Sequence, residues 1–161
     1  MSDWKRTTKE IPFESLPPDL ASAVNRHLDQ YNLGPIIADA LMCVQTDSEK
    51  VKRGLFGSAK IVQMAAIITP RWLVWVFSDA KTKPTALSAQ LINVTIQDYA
   101  QTPFVKLVAD SGIEVNGMFS DASESVSAFI GLDEGAAGKK FREIVIKTAQ
   151  DAKKEQIWEP D

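Results

Sequence analysis

The chain has 161 residues, of which 45% are hydrophobic and 24% are charged, and its formal net charge at pH 7 is -3. This length and apolar content are enough for one domain with a hydrophobic core, and no change of composition along the chain marks a second domain. The sequence pI near 5.2 leaves no positive field to gather nucleic-acid phosphates, so a nucleic-acid partner is not expected.

The first fourteen residues are polar, with isolated apolar side chains, and lack the apolar core of a signal peptide. Export by that route is therefore not expected, and a cytoplasmic location is. We interpret residues 1–14 as a flexible arm, residues 15–155 as one domain, and residues 156–161 as a tail.

A helix is predicted over residues 16–33. Pro17 and Pro18 suit its first turn, and Gly34 follows its last residues. The apolar face of this helix consists of Leu20, Val24, Leu28 and Tyr31. His27 lies beside that face, and we expect a partly buried or surface histidine because no Ser, Cys or Asp motif accompanies it.

The most apolar stretch of the chain, residues 60–78, reads KIVQMAAIITPRWLVWVFS. Its branched and aromatic side chains favour two strands, and Pro70 predicts a reversal between them because proline has no N–H for a sheet ladder. Trp72 and Trp75 should then lie on opposite faces of one strand. We expect one of them in the core and the other under a helix or a partner.

Shorter alternating patterns predict further strands between residues 36 and 131. One covers residues 35–45, one contains Ile92, Val94 and Ile96, and a last one contains Val126 to Ile130. Between the last two, the segments FVKLVA and 113–119 are predicted to form a second hairpin. Its turn would be Asp110-Ser111-Gly112.

The last element predicted is a long amphipathic helix over residues 134–154. Its apolar stripe includes Phe141, Ile144 and Val145, and acidic Asp133 and Glu134 precede it, where anions favour a helix N-terminus.

The predicted order is one helix, about seven short antiparallel strands and one closing helix. This order predicts an α+β fold, with a bent sheet or partly open barrel covered by the closing helix. Four segments of the chain resemble the pleckstrin-homology (PH)-like superfamily. They are the hairpin Thr69-Pro70-Arg71-Trp72-Leu73-Val74-Trp75, the strand from Leu91 to Val94, the Asp110-Ser111-Gly112 turn and the helix around Phe141. The likeness covers about residues 36–152 and is closest to bacterial PH and GRAM-like domains. It implies a binding or scaffold domain with an extra N-terminal helix.

One concentrated feature stands out as a candidate site, the loop between the first predicted strand and the central hairpin. Basic residues flank an apolar pair between two glycines, and the candidates are Lys50, Lys52, Arg53, Leu55, Phe56 and Lys60. The resemblance implies that this is the loop with which many PH-like domains contact phosphoinositide headgroups. A solvated loop, a protein contact and a membrane contact remain open.

Chemistry-bearing residues form no recognisable catalytic set. The acidic residues on predicted turns and wet faces lack the paired spacing of a general acid and base, and they are Asp39, Asp79, Asp98, Asp110 and Glu114. Cys43 stands alone, which excludes an internal disulfide, and it is expected to be a small buried residue. No metal or cofactor is expected.

The sequence therefore predicts a non-enzymatic binding or scaffold module that contacts a protein partner or itself. The alternative is a membrane-peripheral module that binds anionic lipid through the Lys50–Lys60 loop, and the third hypothesis is an enzyme acting on a small ligand.

Overall fold

The computed structural model describes residues 3–50, 60–79 and 81–158, with side chains through Glu155. Its strands and helices, in chain order, are β1 (Trp4–Glu10), α1 (Pro18–Gln30), β2 (Met42–Lys50), β3 (Lys60–Ile68), β4 (Trp72–Asp79), β5 (Thr85–Gln90), β6 (Val94–Asp98), β7 (Gly112–Gly117), β8 (Val126–Gly131) and α2 (Ala136–Trp158).

All strand pairs are antiparallel and form two separate sheets. The larger sheet has the order β1-β2-β3-β4-β5 and the smaller one β6-β7-β8. An α+β fold with antiparallel sheets and a C-terminal helix is thus confirmed. The sheets do not close into a barrel, and the described residues form eight strands where about seven were predicted.

The central hairpin is confirmed as β3 and β4. The turn between them is fixed by Thr69, whose N–H donates to Trp72 O over 2.9 Å and whose Oγ1 accepts the Trp72 N–H over 3.0 Å. Thr69 thus holds the reversal through both its backbone and its side chain, while Pro70, which has no N–H, lies in the turn outside the ladder.

Alternate residues of the central hairpin enter two different cores. On one face Ile68, Leu73 and Trp75 pack with the smaller sheet and α2. On the other face Ile67 and Val74 pack with α1. This alternation follows from the two-residue period of a strand, and it places the larger sheet between α1 and the rest of the domain.

Helix α1 runs over residues 18–30, within the predicted 16–33, and buries the predicted residues Leu20, Val24 and Leu28. It ends where Asn32 and Gly34 adopt positive φ angles of 53° and 71°. Asparagine and glycine accept this left-handed conformation at little cost, so the chain can turn there towards β2.

Helix α2 begins at Ala136, two residues after the start of the predicted 134–154, and continues about one turn beyond its predicted end. Phe141 and Val145 are fully buried against both sheets. No helix in the described parts of the chain is long and apolar enough to cross a bilayer.

The predicted flexible arm differs most from the structure, because residues 4–10 form β1 and pair with β2. After Trp4 the side chains of this strand are polar, and two of them find polar partners far along the chain. Arg6 forms an ion pair with Asp110 at 2.7 Å, and Thr8 bonds Thr46 and Asp133. No apolar alternation marks such a strand, so the sequence pattern missed it.

The strand predicted over residues 35–45 lies further along the chain in the structure. Residues 36–39 form a 3₁₀ helix, and β2 begins at Met42 and continues to Lys50 through what was predicted as loop. Thr46 and Ser48 extend the buried face of β2 as polar residues, because β1 supplies Thr8 and Arg6 as their hydrogen-bond partners.

The predicted second hairpin is wrong. FVKLVA is not a strand: residues 103–106 form a 3₁₀ helix, and β7 pairs with β6 and β8 instead. Asp110-Ser111-Gly112 is not a hairpin turn because no strand directly precedes it; its Asp110 carboxylate accepts from Arg6. Strand β5 was not predicted, and residues 91–93 before β6 are a 3₁₀ helix.

The burial of Phe141 allows a direct test of the architecture. An aspartate at this fully buried position should cost several kcal/mol, against a total stability of about 5–15 kcal/mol. We therefore expect Phe141→Asp to abolish cooperative thermal unfolding measured by circular dichroism. Gln150→Asp, on the exposed side of the same helix, is the control and should melt cooperatively. A cooperative Phe141→Asp transition at the wild-type temperature would contradict the described core.

Candidate binding groove

A groove of about 360 Å³ lies at the C-terminal end of α1, beside the start of β4 and the end of β5. We call it the Trp72 groove. Its walls come from four separate segments of the chain and consist of Tyr31, Leu33, Trp72, Gln90, Asn93, Met118, Phe119 and Ser120. This volume lies in the range of small-ligand sites, and aromatic walls with a few polar groups are typical of them.

The sheet and its neighbours fix the groove's walls. Trp72 pairs with Gln90 at the end of the β4–β5 ladder. The Met118 N–H donates to Asn93 O over 3.1 Å and the Ser120 N–H donates to Ser88 O over 2.9 Å, which holds residues 118–120 along β5.

The two tryptophans of β4 lie on opposite faces, as predicted. Trp75 is buried between the sheets, where the Phe119 ring meets it edge-on at 5.0 Å. Trp72 is half-buried in the groove, and Met118 at its rim is 39% exposed. The groove therefore offers accessible apolar surface beside a packed core.

A chain of hydrogen bonds runs from beneath α1 into the groove. His27 Nε2 lies 2.7 Å from Ser88 Oγ, and Ser88 Oγ donates to Ser120 Oγ over 2.7 Å. Since the one hydroxyl proton of Ser88 goes to Ser120, Ser88 accepts from the Nε2–H of His27. His27 and Ser88 are buried, whereas Ser120 is half-buried at the groove.

Burial lowers the pKa of His27, because desolvation disfavours the charged ring, and the nearby Asp121 carboxylate acts in the opposite direction. The Tyr31 ring, 4.7 Å away between centroids, covers the imidazole. His27 is more buried than the partly buried or surface residue that we expected. Its partners could not be read from the sequence, since Ser88 lies 61 positions away on the unpredicted β5.

Cys43 is buried, as predicted. Burial raises the pKa of its thiol to about 12, and the Glu14 charge acts in the same direction. The thiol is therefore protonated at neutral pH and lacks the thiolate that a nucleophile or a metal ligand needs.

Most of the predicted basic loop lies outside the described residues, including Lys52, Arg53, Leu55 and Phe56. Its two ends are described. Lys50 closes β2 and Lys60 opens β3, and the two exposed lysines face each other across the ladder.

The five acidic residues singled out in the sequence do not converge. Asp110 is held by Arg6. The backbone N–H of Lys81, then the hydroxyl and N–H of Thr82, lower the pKa of Asp79 by bonding its charged form. Within residues 3–50, 60–79 and 81–158, no group of three or more His, Cys, Asp or Glu side chains could hold a metal ion.

Comparison with known proteins gives no relative: no protein-family model, curated protein or solved structure matches this chain at a significant level.

The buried His27 predicts a pH-dependent stability. Folding lowers the pKa of His27 below its ordinary value of 6.5, so the unfolded chain binds the proton more readily. The stability that the neutral ring confers is fully present above about pH 6.5 and is lost as the pH falls through the lower folded-state pKa. We expect the free energy of unfolding in urea to fall more steeply between pH 7 and pH 5 for the wild type than for His27→Gln.

Other titrating groups are common to both proteins and cancel in this comparison. Equal pH slopes for the two would contradict the burial of a neutral imidazole.

Proposed function

We propose that this chain is a non-catalytic binding module of PH-like architecture, and that it takes a protein partner in the Trp72 groove. The order of its elements supports the architectural part of this proposal. Strands β2 to β5 form a continuous meander, β6 to β8 form a second one, and α2 closes the chain. This is the order that the sequence resemblance implies, with β1 and α1 as additions.

The Trp72 groove is the observation that carries the binding function. It joins a half-buried tryptophan, an exposed methionine and a partly buried tyrosine around a few polar groups. Tryptophan, tyrosine and methionine are enriched at protein interfaces, where aromatic side chains supply much of the binding energy.

The groove also favours a neutral partner surface. None of its eight lining residues carries a formal charge, so nothing in the walls would pair with a phosphate, a carboxylate or an ammonium group. A peptide segment with an apolar side chain suits such walls, because the aromatic surface buries the side chain while the polar groups can bond the backbone.

Met118 provides the test of this function. Met118→Asp places a charge at the rim of the groove, which should weaken capture of a partner at least tenfold because the carboxylate must be desolvated. The measurement is quantitative affinity capture with wild type and variant as bait, with sedimentation velocity to detect a second copy as the partner.

Leu107→Asp is the matched control, since Leu107 is 82% exposed and lies outside the groove. Both variants should melt at the wild-type temperature. Partners, or self-association, that persist with Met118→Asp and disappear with Leu107→Asp would show that another surface binds.

A membrane-peripheral role is the second candidate, and the pairing of Lys50 with Lys60 favours it. Two exposed cations lie side by side at one end of the larger sheet, next to Ile61, which is 55% exposed. Each lysine near an anionic surface contributes about 1 kcal/mol, and salt screens this attraction over a Debye length of about 8–10 Å.

Sedimentation with phosphatidylserine vesicles at low and high salt separates the two candidates. We expect the wild type to stay in the supernatant at both, since its net charge is -3. The variants for comparison are Lys50→Glu with Lys60→Glu, and Lys139→Glu with Lys147→Glu on the exposed side of α2. Salt-sensitive binding that only the first pair removes would make the membrane role the leading one.

A further inference from the structure

We propose that the Trp72 groove recognises an uncharged amide carbonyl beside an apolar side chain, with the Ser120 hydroxyl as the donor and with Ser88 and His27 as positioning residues behind it. This inference deepens the binding function proposed above and rests on it. The Ser120 hydroxyl would bind the carbonyl oxygen of the ligand.

The direction of the buried hydrogen bonds identifies Ser120 as a donor towards the groove. The Ser120 oxygen already accepts from Ser88, and among the described residues it donates no side-chain bond of its own. A serine hydroxyl carries one proton. That proton is therefore free for an acceptor in the groove, and a carbonyl oxygen is an acceptor without a donor of its own.

The same direction argues against Ser120 as a nucleophile. A nucleophilic serine must pass its proton to a base, which here would require Ser88 to accept from Ser120 and to donate to His27. The structure has the opposite order, with Ser88 donating to Ser120. His27 and Ser88 thus orient and polarise the Ser120 hydroxyl instead of removing its proton, since successive hydrogen bonds strengthen one another.

The uncharged lining of the groove favours a neutral acceptor over an anionic one. The lining residues are uncharged, and the exposed Asp121 follows Ser120 directly in the chain. A ligand carboxylate would meet this negative charge without a cation among the lining residues to offset it. An amide carbonyl avoids the repulsion, and its neighbouring side chain can lie against Trp72 and Met118.

The chain contains one histidine, so the imidazole NMR signals belong to His27. The Tyr31 ring of the groove wall also contacts this imidazole, so the pKa of the ring, rather than a chemical-shift change alone, reports on the chain of bonds. When a ligand accepts from Ser120, the Ser120 oxygen becomes a better acceptor from Ser88, and the Ser88 oxygen becomes a better acceptor from His27. Binding should therefore favour the proton on Nε2 and raise the pKa of the ring.

The experiment uses the full chain labelled with ¹⁵N and two probes of the same side chain, N-acetyl-leucinamide and N-acetyl-leucine. We expect the amide to shift the Trp72 indole signal and the His27 ring signals together, and to bind at least threefold more tightly than the carboxylate. Ser120→Ala should weaken amide binding about three- to tenfold, the usual effect of one neutral hydrogen bond.

In Ser120→Ala the amide should still shift the Trp72 indole signal but no longer raise the pKa of His27. Ser127→Ala, an exposed serine on β8, is the matched control and should bind like the wild type. Equal or tighter binding of the carboxylate would overturn the choice of a neutral acceptor. A rise in the pKa of His27 on amide binding that persists in Ser120→Ala would overturn the role of Ser120.

The experiments distinguish a failure of the amide inference from a failure of the proposed binding function. If neither probe shifts Trp72 while Met118→Asp still loses the protein partner, the amide inference is wrong and the binding function stands. If Met118→Asp keeps the partner and neither probe binds, both are wrong.

Discussion

The rest of the structure depends on one constraint: strand β4 is buried on both of its faces. Leu73, Val74, Trp75 and Val76 are consecutive and each is at most 1% exposed. Since successive side chains of a strand point to opposite faces, layers must cover both sides of the larger sheet. Helix α1 covers one side, and α2 with the smaller sheet covers the other. Fully burying a side chain of this size contributes about 1.5–3 kcal/mol, so this hairpin dictates where both helices lie.

Polar contacts then fix how the two sheets sit on each other. Arg6 of β1 reaches Asp110 before β7, and Thr8 exchanges hydrogen bonds with Asp133 after β8. Arg142 of α2 donates from its two terminal nitrogens to the carbonyls of Leu132 and Asp133. Buried pairs of this kind add little net stability over apolar contacts, yet leaving one partner alone is costly. We infer that they select one arrangement of the sheets among several with similar apolar burial.

The sequence predicted those elements whose signal is local. The central hairpin has a proline between two β-rich runs, and α1 and α2 carry apolar stripes, so each is visible within about twenty residues. Strand β1 was missed because Arg6 and Thr8 are satisfied by residues more than a hundred positions away. The segment FVKLVA was mistaken for a strand because apolar composition was taken as burial, whereas Phe104 and Leu107 are exposed. The Trp72 groove has no local pattern, since four separate segments build it.

The groove and the docking of α1 share one physical cause. Packing α1 on β4 and β5 buries His27 against Ser88, and buried polar groups are costly unless each finds a partner. His27 and Ser88 satisfy each other, and Ser88 donates its hydrogen bond to Ser120. The chain of bonds therefore has to end at a residue that reaches an acceptor outside the core. Ser120 is that residue, and its position beside Trp72 gives an otherwise apolar groove a directed donor. A ligand that accepts there therefore completes a hydrogen-bond chain on which the docking of α1 also depends. Occupancy of the groove and stability of the helix are linked through the same three side chains.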